Sequence, residues 1–124
     1  MKLFYVDDNK LSLLSFEKIA KEKWPQTDCR VFSSAGEYQK ALSSESPDMC
    51  IVDLRLEGSF ETGLSLIEST RRSHPGTFII AFSSLIDEEI QARAMEKGAN
   101  MYLFKDGGFE DICEVIESEL KKGS

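Results

Sequence analysis

Met49-Cys50-Ile51-Val52-Asp53 is a short apolar run that stops on an acid. Strands of a parallel sheet are covered on both faces, so they read as continuous apolar runs and not as alternating ones. Three more runs of this kind occur, and each also stops on a polar residue. Leu3-Phe4-Tyr5-Val6 stops on Asp7-Asp8, Phe78-Ile79-Ile80-Ala81-Phe82 on Ser83, and Met101-Tyr102-Leu103-Phe104 on Lys105. In open α/β sheets the ligand lies just beyond the carboxyl ends of the strands. The four stops therefore bring carboxylates, a hydroxyl and an ammonium to one end of one sheet.

Helix-like segments fill the spaces between the runs. Leu11, Leu14, Phe16, Ile19 and Ala20 mark a first helix, with Asn9 as its N-cap and an end before Pro25. Cys29-Arg30-Val31-Phe32 is a further short strand. Ser34 caps a second helix from Ala35 to about Leu42, and Glu37 suits a capping box. A third helix is expected from about Gly63 to Arg72, with Leu66, Ile67 and Thr70 inward, before His74-Pro75-Gly76 turns the chain. Asp87 opens a fourth helix carrying Ile90, Ala94 and Met95, which Gly98 ends. Phe109, Ile112, Cys113, Ile116 and Leu120 form one stripe of a fifth.

Strict alternation of strand and helix implies an α/β fold, a parallel sheet with helices on both faces. Right-handed crossovers leave few arrangements. The flavodoxin-like three-layer (βα)5 fold, with strand order 2-1-3-4-5, places the first and third strands side by side and so puts Asp7-Asp8 next to Asp53.

Composition narrows the function. At 124 residues the chain is sized for one domain that folds without disulfide or structural metal. A net charge of −7 argues against nucleic acid or an anionic membrane as a direct partner. The apolar runs are too short to span a bilayer, and the N-terminus enters a strand at once, unlike a secretory signal. The cysteines Cys29, Cys50 and Cys113 are odd in number and lack CxxC spacing, so they read as reduced, mostly buried thiols of a cytoplasmic protein.

Acids that close together repel one another unless a cation joins them or their pKa values rise. A hard, all-oxygen site with few protein ligands suits Mg²⁺, which completes its octahedron with water and a phosphate. Lys105 adds a mobile positive charge and Ser83 a hydroxyl donor. Together these would neutralise and orient a phosphoryl group in transfer. Asp53 is the natural acceptor, since a carboxylate can form an acyl phosphate. Taken singly, each residue also has an ordinary reading. Asp7-Asp8 would be a helix-capping turn, Lys105 a solvated loop lysine, Ser83 a turn cap and Tyr102 a half-buried aromatic. His74 reads as a solvated turn residue.

As an ordered set at strand ends, Asp7-Asp8, Asp53, Ser83 and Lys105 resemble the receiver domains of bacterial two-component response regulators. The resemblance covers residues 1–121, with 122–124 as a tail. It implies a phosphorylation switch, not an enzyme that turns over a diffusing substrate, though one that assists its own phosphorylation and dephosphorylation. A histidine kinase or histidine phosphotransfer protein would supply the phosphoryl group and Asp53 would accept it. Asp8, Asp53 and the backbone carbonyl of Arg55 would hold Mg²⁺, with Asp7 acting through water. Lys105 and Ser83 would contact the phosphoryl oxygens, and Tyr102 would change orientation with Ser83. The fourth helix, fifth strand and fifth helix would form the face that signals to a downstream protein, or that pairs two copies.

Three positions depart from that family's pattern. Asp106 stands where proline usually follows the lysine, so a trans bond and a rearranged loop are expected, because a non-proline cis bond costs about 2.5–4 kcal/mol. Asp106 also brings a further negative charge toward the site. Glu57 stands where proline is usual, and the loop to Gly63 is longer than normal, so Gly58-Ser59-Phe60-Glu61-Thr62 reads as mobile or partner-binding. Ser83 replaces the more frequent threonine. Asp106 and the long loop are what favour the rival reading, a pseudo-receiver that binds protein without being phosphorylated. A dehalogenase-like hydrolase would need an acid two residues after the nucleophile, where Arg55 stands. A flavodoxin-type cofactor site would need backbone donors after the first strand, where Asp7-Asp8 would repel a bare phosphate.

Overall fold

The computed structural model describes residues 1–122. Strands β1 (Lys2–Val6), β2 (Asp28–Phe32), β3 (Met49–Asp53), β4 (Phe78–Ser83) and β5 (Met101–Phe104) alternate with helices α1 (Lys10–Lys23), α2 (Ala35–Leu42), α3 (Phe60–Ser73), α4 (Glu88–Lys97) and α5 (Glu110–Lys122). The sheet is parallel with strand order β2-β1-β3-β4-β5, as the alternation requires. Lys122, assigned from sequence to the tail, is the last residue of α5; Gly123 and Ser124 lie outside the described residues.

Period-two alternation divides the core. Phe4, Val6, Cys50 and Val52 face one layer, packed with Tyr38, Leu64, Ile67 and Ala94 of α2, α3 and α4. Leu3, Tyr5, Met49 and Ile51 face the other, packed with Leu13 and Phe16 of α1 and Ile112 and Ile116 of α5. All five residues of β3 are buried, which explains its unbroken apolar reading. Register fixes the site: Val6 pairs with Val52, so Asp7 and Asp53 emerge side by side. The Asp7 N–H continues the ladder to Phe32 O at 3.0 Å, and the Leu54 N–H to Phe82 O at 2.9 Å.

The helix starts follow their caps. Asn9 accepts from the Ser12 N–H, Ser34 from Glu37, and Asp87 from Glu89 and Ile90. The Glu37 carboxylate returns to the Ser33 N–H, one residue before the expected capping-box partner. Gly98 ends α4 at φ 123°, and a Cβ there would lie 2.7 Å from Arg71 Cγ. Arg71 spends all five donors on the opposite end of the sheet from the acids. They reach Gly98 O (twice), Pro75 O, Thr77 O and Asn100 Oδ1, between 2.6 and 3.1 Å.

The structure corrects several expectations. On α1 the core stripe is Leu13, Phe16 and Ala20, whereas Leu11 and Leu14 are 76% and 62% exposed. Leucines at 11, 13 and 14 offer two competing stripes, and only the one at 13 falls in phase with Phe16 and Ala20. Met95 is likewise exposed, and Ala94 takes the core position on α4. Helix α3 begins at Phe60, three residues before Gly63, because the Ser59 Oγ accepts from the Glu61 N–H and caps it. Most of the stretch read as mobile or partner-binding is thus the first turn of a helix. His74 is not simply solvated: its Nδ1 meets Ser73 Oγ at 2.8 Å and its Nε2 meets Glu45 O at 3.1 Å.

Candidate functional site

The carboxyl ends of β1, β3 and β5 converge as the apolar runs imply. Carboxylate oxygens of Asp7, Asp8 and Asp53 lie within 4.8 Å of one another. Lys105 Nζ reaches Asp7 Oδ2 at 2.9 Å and Asp53 Oδ1 at 3.1 Å, and sits 5.5 Å over the Phe82 ring. Asp7 is fully buried, Asp53 nearly so, and Asp8 is exposed.

Charge at this point is out of balance. Burial, and then the neighbouring charge of Asp7, push the Asp53 carboxyl up to about 6 although Lys105 pulls the other way. Burial alone would lower the Lys105 ammonium, but its hydrogen bond to Asp7 and the charges of Asp53 and Asp7 outweigh that and raise it. Lys105 therefore stays charged, yet one ammonium does not neutralise three acids. The donor set is all oxygen, close-packed and short of positive charge. That fits a hard divalent cation of the Mg²⁺ or Ca²⁺ kind, held by few protein ligands.

Asp8 is oriented by a residue that sequence reading counted only as a missing proline. The Glu57 N–H donates to Asp8 Oδ2 at 2.9 Å, and Glu57 Oε2 accepts from the Ala35 N–H at the start of α2 at 2.9 Å. Glu57 adopts φ 55° and ψ 32° in a 3-10 turn, Leu56–Gly58. Proline has no N–H and fixes φ near −65°, so it could do neither. The Glu57 carboxylate also suits the positive end of α2.

The remaining predicted residues are Arg55, Ser83 and Tyr102. The Arg55 N–H donates to Asp53 Oδ1 at 3.3 Å, and its exposed guanidinium stands 5.8 Å over the Phe60 ring. Ser83 is buried, and its Oγ accepts from the Leu85 N–H at 3.1 Å. The Tyr102 hydroxyl donates to Leu85 O at 2.9 Å. Ser83 and Tyr102 thus hold the same residue, one by its N–H and the other by its carbonyl, in the connection between β4 and α4. Tyr102 is 9% exposed, more buried than the half-buried reading of an edge strand.

Lys105, Asp106 and Gly107 form a 3-10 turn, closed by the Gly108 N–H donating to Lys105 O at 2.9 Å. No peptide bond among the described residues is cis, so the Lys105–Asp106 bond is trans as expected. Asp106 is exposed and is not one of the clustered acids. Tyr5 was legible only as part of an apolar run, yet its hydroxyl donates to Asp7 Oδ2 at 2.6 Å. The available signal was a hydroxyl two residues before Asp7, on the same strand face.

Comparison with known proteins gives the family and the fold. The chain is 29% identical over 126 residues to the methanol utilization control regulatory protein MoxX of Paracoccus denitrificans, covering all of this chain and 55% of that protein. A CheY-like receiver domain protein from Methanospirillum hungatei superposes with a TM-score of 0.85 at 22% identity, over 98% of this chain and 94% of that one. A response regulator from Burkholderia pseudomallei, solved with a phosphorylated aspartic acid, calcium ion and citrate, gives 0.80 at 22% identity, over 99% and 75%. The chain thus spans about half the length of that curated relative and 19% of another, the transcriptional regulator NtrC of Proteus hauseri, and no helix among the described residues is long and apolar enough to cross a membrane. The response regulator receiver domain matches residues 3–117, the stretch that holds every strand end described above, and the chain belongs to that family.

Proposed function

We propose that this chain is a phosphorylation switch that takes a phosphoryl group on Asp53 from the phosphohistidine of a kinase or phosphotransfer protein. The supporting observation is the buried Asp53 carboxylate, set between Asp7-Asp8 and Lys105 at the end of β3. Both of its hydrogen-bonding contacts fall on Oδ1, from the Arg55 N–H and Lys105, which leaves Oδ2 to attack phosphorus. The new O–P bond forms as the P–N bond to the donor imidazole breaks, and that nitrogen recovers a proton from solvent. Above pH 6 Asp53 is mostly ionised and able to attack.

Asp8, Asp53 and the Arg55 carbonyl would hold Mg²⁺, with Asp7 acting through water. The ion would supply positive charge to phosphoryl oxygens that Lys105 cannot neutralise alone. Lys105 and the Ser83 hydroxyl bind the other oxygens. Because Ser83 Oγ accepts from Leu85, its own proton remains to be donated. Moving Ser83 toward the phosphoryl group strains its bond to Leu85, whose carbonyl holds Tyr102. That chain of contacts carries the change to α4, β5 and α5, the proposed face for a downstream protein or a second copy.

An unphosphorylated binding module has less behind it. Most of the stretch after Glu57 is the first turn of α3, and Asp106 is exposed and not one of the clustered acids. The free thiols suit a reducing cytoplasm. Incubation with acetyl phosphate and Mg²⁺, followed by intact mass, tests the reading. A gain of one phosphoryl group that EDTA prevents is expected, and an unchanged mass would favour the binding module.

Lifetime gives a separate expectation. Arg55 and Leu85, each two residues beyond a site residue and both exposed, would flank the path of an attacking water. Arg55→Ala and Leu85→Ala should each speed phosphoaspartate decay roughly several-fold, since water exclusion protects a reactive intermediate. Decay followed by the loss of radiolabel checks this, and unchanged half-lives in both variants would remove the shielding role.

A further inference from the structure

Tyr5 is fully buried, and its ring is held edge-on by Phe16 at 5.2 Å, Phe109 at 6.0 Å and Phe82 at 6.3 Å. Its hydroxyl meets Asp7 Oδ2 at 2.6 Å. The same oxygen accepts from Lys105 at 2.9 Å, and Asp7 Oδ1 accepts from the Asn9 N–H at 2.9 Å. Of these three donors, one is backbone and one is locked in an aromatic cluster. Only Lys105 is shared with Asp53 and carried on a long, flexible side chain.

Resting on the phosphoacceptor reading, a conflict follows. A phosphoryl group on Asp53 adds acceptor oxygens that compete for Lys105. An ammonium drawn to them leaves Asp7 Oδ2, on a side chain with no exposure to bulk solvent, and an undonated oxygen of a buried carboxylate is costly. The geometry points to Tyr5 as a positioning residue: its hydroxyl keeps Asp7 Oδ2 satisfied and fixed while Lys105 turns to the phosphoryl group. Tyr5 acts through Asp7 and does not touch the reacting atoms. Burial, and then the charge of Asp7, hold the phenol well above its ordinary pKa, so it stays a donor. Phenylalanine would fill the same space without the donor.

Beryllofluoride, which stands in for the phosphoryl group, tests this by calorimetry at saturating Mg²⁺. Tyr5→Phe should weaken its binding about tenfold, equivalent to about 1.4 kcal/mol. A tyrosine that only packs the core would change thermal stability and leave that affinity alone, so equal affinities overturn the inference whatever happens to Tm. Failure of the unaltered protein to bind beryllofluoride would overturn both this inference and the phosphoacceptor reading; binding by both proteins alike would overturn this one only. Should Tyr5→Phe not fold, the phenolic proton of Tyr5 in the unaltered protein, assigned by NMR through its contact with the Phe16 ring, gives the answer. The proton must stay downfield and protected when beryllofluoride is added, and its loss would overturn the inference.

Discussion

Asp53→Asn is expected to abolish phosphoryl transfer and, in EDTA at pH 7.5, to stabilise the fold by about 2–3 kcal/mol. The two effects share one cause. Asp53 lies 5% exposed beside Asp7, and burial and that neighbour raise its carboxyl from 3.8 to about 6. Below about pH 3.8 the group is protonated whether the chain is folded or not, so it costs nothing. Between 3.8 and 6 the folded state still holds a proton that the unfolded chain has released, so stability falls as pH rises. Above 6 the full cost is present, about 3 kcal/mol at 1.36 kcal/mol for each pH unit. Asparagine removes that ionisation. Urea unfolding of both proteins from pH 4 to 8 should show their stabilities diverging through this window, the variant staying flatter. Adding Mg²⁺ should narrow the gap, because an ion that binds the folded state alone stabilises the wild type more than a variant lacking one ligand. Equal stabilities at pH 7.5 would mean that Asp53 carries no electrostatic penalty.

Gly63→Ala is expected to cost about 3 kcal/mol or more, lowering Tm by about 10 °C or more. A Cβ at this position would lie 2.2 Å from Leu54 O and 2.7 Å from Leu54 C and Cα. These are backbone atoms, so no side chain can swing away. Either α3 must lift from the sheet or Leu54 must move, and Leu54 directly follows Asp53. Its N–H donates to Phe82 O at 2.9 Å, so a shift there disturbs the pairing of β3 with β4 beside the site. The variant should therefore also be phosphorylated more slowly. Gly36→Ala is the control: nothing lies within 4 Å of a Cβ there, and alanine favours a helix. Calorimetric unfolding of the two variants should differ in sign, and equal Tm values would contradict the close-approach account.

Much of the site was legible because the fold punctuates itself. A parallel strand is apolar along its whole buried length, so the first polar residue marks its carboxyl end. Asp7, Asp53, Ser83 and Lys105 stand at such ends, and the strand order brings the first two together. What stayed hidden lay in residues with a second possible role. Tyr5 reads as one more strand former, and its hydroxyl matters only because Asp7 lies two residues on, on the same face. Gly63 reads as a helix boundary, since nothing in the sequence shows that Leu54 O passes where a Cβ would sit. Glu57 looked like an absent proline, but its left-handed backbone and bonds to Asp8 and Ala35 depend on contacts distant in sequence. Leu11 and Leu14 misled because adjacent leucines leave the phase of α1 undetermined until the sheet selects one.

Borohydride reduction tests the central claim most directly, because it converts an aspartyl phosphate to homoserine and marks the residue that carried it. The protein is treated with acetyl phosphate and Mg²⁺, reduced, digested and read by peptide mass. Homoserine at position 53, absent without Mg²⁺, is the predicted result. Homoserine at position 7 or 8, or at no acid in the chain, would contradict the assignment of Asp53 as the phosphoacceptor.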